Sequence, residues 1–372
     1  MTEPPRPSAA PWALGRNLPI IASVAARHLD RGSMAVSSAL LRALPTLLRS
    51  RLTPSLTRVS STLGALSAAA SGQGTDAAAA LSSIADQASA TSALRSVDGL
   101  VVLHRTTEAR VALDSLKSRL GQPEGLALTE SRLLAEEGHL TRALQILTTA
   151  ARTRARGRLV AAVSGELSAL DASTRICSTP PAAPAHRTSE PTRALHLVTT
   201  ALPEAQTGYT IRTQGITSAL VAAGMSVDVV SRLGFPVDRG SVTAREHVQV
   251  DNVSYHRLLP AKPLPRDAGA RLDATIRLVT DLAAELSPDV LHAHSMHGNA
   301  QVALAVGRAM GLPVVYEVRG FLEETWRTHG GDPASDRYRL SRDAETVCML
   351  AADAVVTLSE SMASEIRGRG VD

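Results

Sequence analysis

The sequence predicts a long all-α region followed by an α/β domain with a Rossmann-like, doubly wound parallel sheet. Three observations lead to this fold class. Residues up to about 170 follow the helical spacing of apolar side chains. A segment rich in proline and small residues, STPPAAPAHRTSEP, then covers 178–191. Beyond it, short apolar runs typical of buried strands alternate with helical segments, which is the pattern of βαβ units with right-handed crossovers.

Composition limits the class of protein. A chain of 372 residues is longer than one ordinary core and predicts two domains. The net charge of +4 is too small to indicate nucleic-acid binding. Cys177 and Cys348 fit neither a disulfide framework nor zinc-ligand spacing, so we interpret both as inert thiols. No apolar run is long enough to span a bilayer, and arginines interrupt the N-terminal stretch, so we expect a cytoplasmic protein.

The helical region is expected to cover residues 1–177. Within 126–170, the run GHLTRALQILTTA places small and apolar residues at the spacing of the second helix of a tetratricopeptide repeat, although any tight helical hairpin would show the same pattern. Residues 19–58 hold six arginines and a single acid, Asp30. We interpret this stretch as a solvated basic surface, with a peripheral contact at the inner face of a membrane as the alternative.

The linker, 178–191, is expected to be semi-rigid and to separate the helical region from the α/β domain, 192–372. In that domain the apolar runs predict strands, and the segment VQVDNVSYHRL predicts a hairpin or edge strand. The predicted strands cover 193–199, 226–231, 289–292, 313–318 and 354–358. Helical segments lie between them, and Ser359 is placed to cap the last helix.

Charged side chains follow the strand PVVYEV. Glu317, Arg319, Glu323 and Glu324 come at or after its end, and Gly320 lets the chain turn. Because the carboxyl ends of parallel strands face the crevice in which open α/β sheets bind ligands, we expect these residues to meet a polar substrate. The alternative is that the charges only mark the point where the strand reaches water.

Histidines crowd the end of the preceding strand, in LHAHSMHGN. No cysteine or spaced carboxylate completes a metal site there, so no metal is expected. We expect His292 to pack against the sheet and His294 or His297 to face the crevice as a hydrogen-bonding or proton-transfer group.

The first strand leads into PEAQTGYTIR, which lacks the G-x-G-x-x-G dinucleotide fingerprint. A single glycine, Gly208, stands at the helix start, followed by Tyr209 and, in the first turn, by Arg212. Free backbone N–H groups and a guanidinium can bind an anion there, and the alternative is an ordinary βα turn.

Five motifs occur in order along this half of the chain: TGYTIR, VDNVSYHRL, DVLHAHSMHGNA, LPVVYEVRGFLEE and AADAVVTLSESMASEIRGRGV. Together they resemble the N-terminal domain of retaining glycosyltransferases of family 4, which have the GT-B fold, over about 193–372. The resemblance implies transfer of a sugar from a nucleotide-diphosphate donor to a glycan or lipid-linked acceptor in polysaccharide or cell-envelope biosynthesis. It implies no metal or other cofactor beyond the nucleotide-sugar co-substrate.

The resemblance also assigns residues to the two sides of the cleft. The loop facing the donor phosphates would contain Gly208, Tyr209 and Arg212. The acceptor side would contain His294, His297, Asn299, Glu317, Arg319, Gly320, Glu323 and Glu324, with His294 and Arg319 as catalytic candidates.

Two departures from the family pattern matter. Arg319 stands where many members have a histidine, and its guanidinium could hold a phosphate or a carboxylate-bearing acceptor. The sequence also stops where the N-terminal domain does, so we expect the donor-binding C-terminal domain to be absent and donor binding to be weak. Two other classes stay open: a non-catalytic helical interaction protein with a remnant Rossmann-like domain, and an ordinary nucleotide-binding Rossmann protein.

Overall fold

A computed structural model describes residues 11–30, 32–183 and 192–372. Contacts between residues group them into two compact units. An α/β unit takes the described parts of 1–24 and 166–329 together with 339–372. A helical unit takes those of 25–165 together with 330–338.

The helices before the linker follow one another closely. They are α1 (Pro11–Asp30), α2 (Ser33–Ala43), α3 (Thr46–Val59), α4 (Ser61–Ala70), α5 (Gly74–Gln87), α6 (Ala90–Val102), α7 (Thr106–Leu120), α8 (Leu126–Glu136), α9 (Leu140–Thr149), α10 (Arg154–Leu170) and α11 (Ala172–Cys177). In the helical unit, leucines such as Leu81, Leu100 and Leu113 are fully buried against small residues of neighbouring helices. Packing of these apolar faces, rather than helix propensity alone, stabilises such short helices.

The hairpin of α8 and α9 shows the close approach that the small residues predicted. Ala143 is fully buried, and its carbonyl accepts a hydrogen bond from Ser131 Oγ at 3.1 Å. Gly138 makes the turn with a φ of 88°, which favours glycine. Residues 330–338 cap this hairpin, because Arg337 N–H donates to the carbonyl of Gly138 at 3.0 Å and Asp336 accepts from Thr141 N–H at 2.8 Å. Membership of the tetratricopeptide class stays a prediction.

After the linker, strands and helices alternate as the sequence predicts. The strands are β1 (Arg193–Val198), β2 (Ser226–Ser231), β3 (His247–Val250), β4 (Val253–Arg257), β5 (Val290–His294), β6 (Val314–Val318) and β7 (Ala354–Thr357). The helices are α12 (Gly208–Ala222), α13 (Ala268–Leu286), α14 (His297–Met310), α15 (Leu322–Thr328), α16 (Asp336–Ala351) and α17 (Glu360–Gly368).

The strands of the described residues form one sheet in the order β3-β4-β2-β1-β5-β6-β7. All neighbours are parallel except β3 and β4, which form the predicted hairpin around Asp251. The chain moves outward from β1 in one direction to β2 and later in the other direction to β5. The strand order therefore reverses between β1 and β5, and ligands of doubly wound sheets bind at such a point. The predicted α/β class is confirmed.

Local packing explains how closely the helices lie on this sheet. A Cβ on Gly307 of α14 would lie 2.6 Å from Val314 Cγ2 and 2.8 Å from the carbonyl of Leu312, so only glycine allows this approach to β6. At the other end of the domain, Ser359 accepts a hydrogen bond from Met362 N–H at 3.3 Å, which confirms the predicted cap of α17.

Segments on both sides of the linker also belong to the α/β unit. Ile20 of α1 is fully buried in its core, and Asn17 Nδ2 donates to the carbonyl of Val242 at 2.9 Å. Ala182 N–H donates to the carbonyl of Arg308 at 2.8 Å. Most of the predicted linker, residues 184–191, lies outside the described residues. The division of the chain into independently folding domains at this linker stays a prediction.

Among the described helices, none combines the length and the hydropathy that a membrane span requires.

Candidate functional site

Polar side chains meet where β1, β5 and β6 end. The three strands are neighbours in the sheet, with His196 opposite His292 and His294 opposite Glu317. The imidazole centroids of His292 and His294 lie 4.5 Å apart, and those of His196 and His292 lie 4.6 Å apart. The parallel register thus brings together residues that are about a hundred positions apart in the sequence.

Glu317 is the anionic centre of this cluster. Its carboxylate is 1% exposed and accepts from Arg212 Nε at 3.1 Å through Oε1 and from Arg319 Nη2 at 2.9 Å through Oε2. Nδ1 of His294 lies 3.1 Å from Oε2. Burial alone would raise the pKa of Glu317, but the contacts with His294 and Arg319 outweigh burial and hold that pKa well below its usual range. Glu317 is therefore a permanent buried anion.

Arg319 joins the end of β6 to α12. Its Nη1 donates to the carbonyl of Tyr209 at 3.0 Å and to Thr213 Oγ1 at 2.9 Å, and its guanidinium lies 4.7 Å from the centroid of the Tyr209 ring. Nη2 contacts both Glu317 and His294 Nδ1. Of its nitrogens, Nε alone has no hydrogen-bond partner in the described part of the chain, and the side chain is 6% exposed. The guanidinium is thus occupied by protein groups, and it acts here as a brace.

His196 and His294 form a proton-sharing pair. His196 Nδ1 and His294 Nε2 are 2.8 Å apart, so one of these nitrogens donates to the other. His294 Nδ1 can either donate to Glu317 or accept from Arg319, and the proton between the two histidines shifts accordingly. Burial lowers the pKa of both histidines and lowers that of His292 to about 3. All three imidazoles are therefore neutral at neutral pH.

A nitrogen from each of these three imidazoles lies within 4.8 Å of the others, which is a spacing that could hold a metal ion. Neutral imidazole is also the form that binds metals, and neither Nε2 of His196 nor Nε2 of His292 has a hydrogen-bond partner among the described residues. However, a divalent cation would lie beside two guanidiniums whose positive charge already exceeds the negative charge of Glu317. The surrounding charge opposes a metal, and the sequence-based expectation that none is needed stays a prediction.

The start of α12 is open and positively charged. Thr207 caps the helix, and its side chain and that of Thr210 form a reciprocal capping box. The backbone N–H groups of Gly208 and Tyr209 have no partner in the described chain, and a Cβ on Gly208 would meet nothing within 4 Å. Arg212 is fixed through Nε to Glu317, while its two Nη atoms have no described partner and the side chain is 46% exposed.

The remaining predicted site residues divide between the cluster and its surroundings. Asn299 Nδ2 donates to the carbonyl of His294 at 2.8 Å and to Thr199 Oγ1 at 3.0 Å, so it ties β5 to the end of β1. Gly320 is exposed directly after β6. His297 turns away, because its Nδ1 contacts Gln301 Nε2 at 3.0 Å on α14; burial lowers its pKa to about 4.

Glu323 and Glu324 do not join the cluster. Glu323 is fully buried, and Arg369 Nη2 of α17 lies 2.8 Å from its Oε1. Glu324 pairs with Arg327 at 2.7 Å along α15. By contrast, His196 belongs to the cluster although the sequence did not single it out. Its signal was that it is the one polar residue inside the apolar run of β1.

Comparison with known proteins assigns this part of the chain to a family. Residues 207–372 match the family model described as "Glycosyl transferase 4-like domain". This part of the chain is therefore similar to a glycosyltransferase 4-like domain, which confirms the resemblance seen in the five sequence motifs. No curated protein matched the chain.

A solved structure of sucrose-phosphate synthase from Thermosynechococcus elongatus is similar at 16% identity and a TM-score of 0.38. The similarity covers 47% of this chain and 45% of that protein. The chain thus spans less than half the length of this relative, and a likeness this distant carries no functional weight.

Proposed function

We propose that the α/β domain takes part in sugar transfer from a nucleotide-diphosphate donor, with the start of α12 contacting the donor phosphates and the ends of β5 and β6 facing the acceptor. The family match supports the class of reaction. The acceptor class, a glycan or lipid-linked sugar of polysaccharide or cell-envelope assembly, and a cytoplasmic location belong to the same proposal. So does independence from a metal.

One observation carries the phosphate contact. Buried Glu317 fixes Arg212 through Nε, which leaves its two Nη atoms without a described partner, one turn along α12 from the unpaired N–H groups of Gly208 and Tyr209. The three histidines of the cluster are neutral. Arg212 and Arg319 carry two positive charges and Glu317 carries one negative charge, so the cluster has a net positive charge. A helix start that offers free N–H groups and a fixed guanidinium is suited to a phosphate oxygen.

The same geometry gives Arg212 and Arg319 different roles. Arg319 is buried and fully engaged apart from Nε, whereas Arg212 presents donors to solvent. We therefore assign anion binding to Arg212, and we assign to Arg319 the positioning of α12 against β6. A hydrogen bond to a charged group contributes about 1.5–3 kcal/mol, which corresponds to at least about a tenfold change in affinity.

Ligand-observed NMR titration of the chain with UDP-, GDP- and ADP-sugars tests the proposal. We expect weak binding of one donor class, and at least about a tenfold further loss in R212Q. Arg277→Gln is the matched control, because Arg277 is an exposed arginine of α13 without a described partner. Equal affinity in R212Q and in the control would refute the phosphate contact.

A further inference from the structure

The positive charge of this protein is concentrated in one short stretch. Residues 31–75 contain five arginines and no acidic residue or lysine, whereas the whole chain has a net charge of +4. The rest of the chain is therefore slightly acidic. This stretch lies in the helical unit, outside the residues that match the glycosyltransferase 4-like model.

Helix α3 in this stretch has one face that packs and one that does not. On the packed side, Leu56 lies against the core formed by Leu41 and Leu66, and Thr53 Oγ1 lies 2.8 Å from Ser67 Oγ of α4. The neighbouring part of the helix surface carries apolar side chains that are exposed to water. Val59 is 82% exposed, Leu48 46% and Leu52 37%.

These exposed apolar side chains form a single stripe. Leu48, Leu52 and Val59 are spaced by four and seven residues, which places them within roughly 40° of one another around the helix. Arg51 and Arg58 lie along one flank of the stripe, and both are exposed. Neither arginine has an ion pair or hydrogen bond with the described residues. We call Leu48, Leu52, Val59, Arg51 and Arg58 the basic apolar face.

We propose that the basic apolar face docks on the surface of a bilayer that contains anionic lipid. Charge complementarity selects this occupant, because an acid-free stretch with five arginines is attracted to anionic headgroups. The stripe supplies the second part of the interaction, since leucine and valine side chains enter the boundary between headgroups and acyl chains while flanking arginines keep their charges at the headgroups.

Such docking would hold the chain at a membrane without any spanning helix. The surface is carried by the helical unit, so this inference stands apart from the proposed sugar transfer. Loss of lipid binding would leave the dependence of donor binding on Arg212 untouched, and the two proposals can fail separately.

Vesicle co-sedimentation of the full chain tests the docking surface. The probes are mixed phosphatidylcholine–phosphatidylglycerol vesicles and pure phosphatidylcholine vesicles, each at low and at physiological salt. We expect binding to the anionic vesicles, weakened by salt, and little binding to phosphatidylcholine. Each arginine near an anionic surface contributes about a fivefold change in affinity, so R51Q/R58Q should bind about thirtyfold more weakly.

Matched controls distinguish binding through the basic apolar face from nonspecific electrostatic or hydrophobic binding elsewhere on the protein. R142Q/R152Q removes the same charge from two exposed, unpartnered arginines outside the stretch and should bind as the parent does. L52S/V59S should lose binding, whereas V111S/L120S, which changes two exposed apolar residues of α7, should not. Circular dichroism confirms that each variant is folded.

The proposal is overturned if the chain does not bind anionic vesicles or binds both vesicle types equally. It is also overturned if the variants of the basic apolar face bind as tightly as their controls.

Discussion

Glu345 of α16 is a buried carboxyl whose protonation should set how the stability of the α/β unit depends on pH. It is fully buried, accepts from Tyr316 OH at 2.5 Å through Oε1, and accepts from the backbone N–H of His297 at 3.0 Å through Oε2. Burial raises the pKa of Glu345 to about 7; the hydrogen bond from Tyr316 opposes this rise, and the charge of Glu323 adds to it. Arg369 Nη2 lies 2.8 Å from Glu323 Oε1, and its charge lowers the pKa of Glu345 by less than burial raises it.

The magnitude follows from the shift in pKa. A rise from 4.5 to about 7, at about 1.4 kcal/mol per unit, corresponds to about 3 kcal/mol. Between these two values the unfolded chain has lost the proton and the folded chain still holds it. The stabilisation is thus fully present below about pH 4.5 and is lost as the pH rises through about 7.

Glu345→Gln removes the titrating group while it keeps the shape. We expect the free energy of unfolding of E345Q, relative to the parent, to rise by about 3 kcal/mol between pH 4.5 and pH 8. Urea unfolding followed by tryptophan fluorescence measures this, since Trp12 and Trp326 both belong to the α/β unit. Glu360→Gln, at an exposed carboxyl of α17, is the control. Parallel curves for E345Q and the parent over this range would refute the assignment.

Two further predictions concern stability. Arg319→Lys keeps the charge but loses the guanidinium hydrogen bonds that join Glu317 to α12. We therefore expect the free energy of unfolding to fall by about 2 kcal/mol in the same assay. Arg327→Lys, at an exposed arginine, should lower it by almost nothing. If both lysine variants unfold alike, Arg319 is not a brace. Gly138→Ala should destabilise the helical unit by about 1–2 kcal/mol, seen by circular dichroism, because its φ is 88° and its Cβ would lie 2.9 Å from Ser335 Oγ. Gly72→Ala has a similar positive φ, 96°, but free space around the new Cβ, so an equal loss there would exclude the contact with Ser335 as the cause.

Local patterns were enough to predict the elements of the sheet. The strands β1, β2, β5, β6 and β7 are short, largely apolar runs between helical segments, and they lie within about two residues of their predicted bounds. The β3–β4 hairpin and the Ser359 cap depend on neighbouring residues only, so the sequence also predicts them.

The composition of the cluster could be predicted only in part. His294, Glu317 and Arg319 could be found because each stands at the end of a recognisable strand, and parallel strands end at the same edge. His196 could not, because its role depends on a contact with His294 across 98 residues. The position of Glu323 outside the cluster could not be predicted either, because the sequence does not show that α15 places this side chain next to Arg369.

Long-range pairing also explains the unexpected assignment of residues 330–338. They lie within the α/β half of the sequence, but Asp336 and Arg337 bond to the turn between α8 and α9 of the helical unit. The side chains that select this contact are ordinary surface residues by type. Only the folded backbone shows which N–H and carbonyl groups they satisfy.

Hydrogen exchange at α12 tests most directly the proposal that the start of this helix binds the phosphates of a nucleotide sugar. The amides of Gly208 and Tyr209 have no described partner and should exchange quickly in the free protein. Peptide-resolved exchange of the chain, measured over a series of nucleotide-sugar concentrations, should show slowed exchange at these amides, and R212Q should need at least about tenfold more ligand for the same effect. Unchanged exchange at these amides under saturation, or the same concentration dependence in R212Q as in the parent, would contradict this proposal.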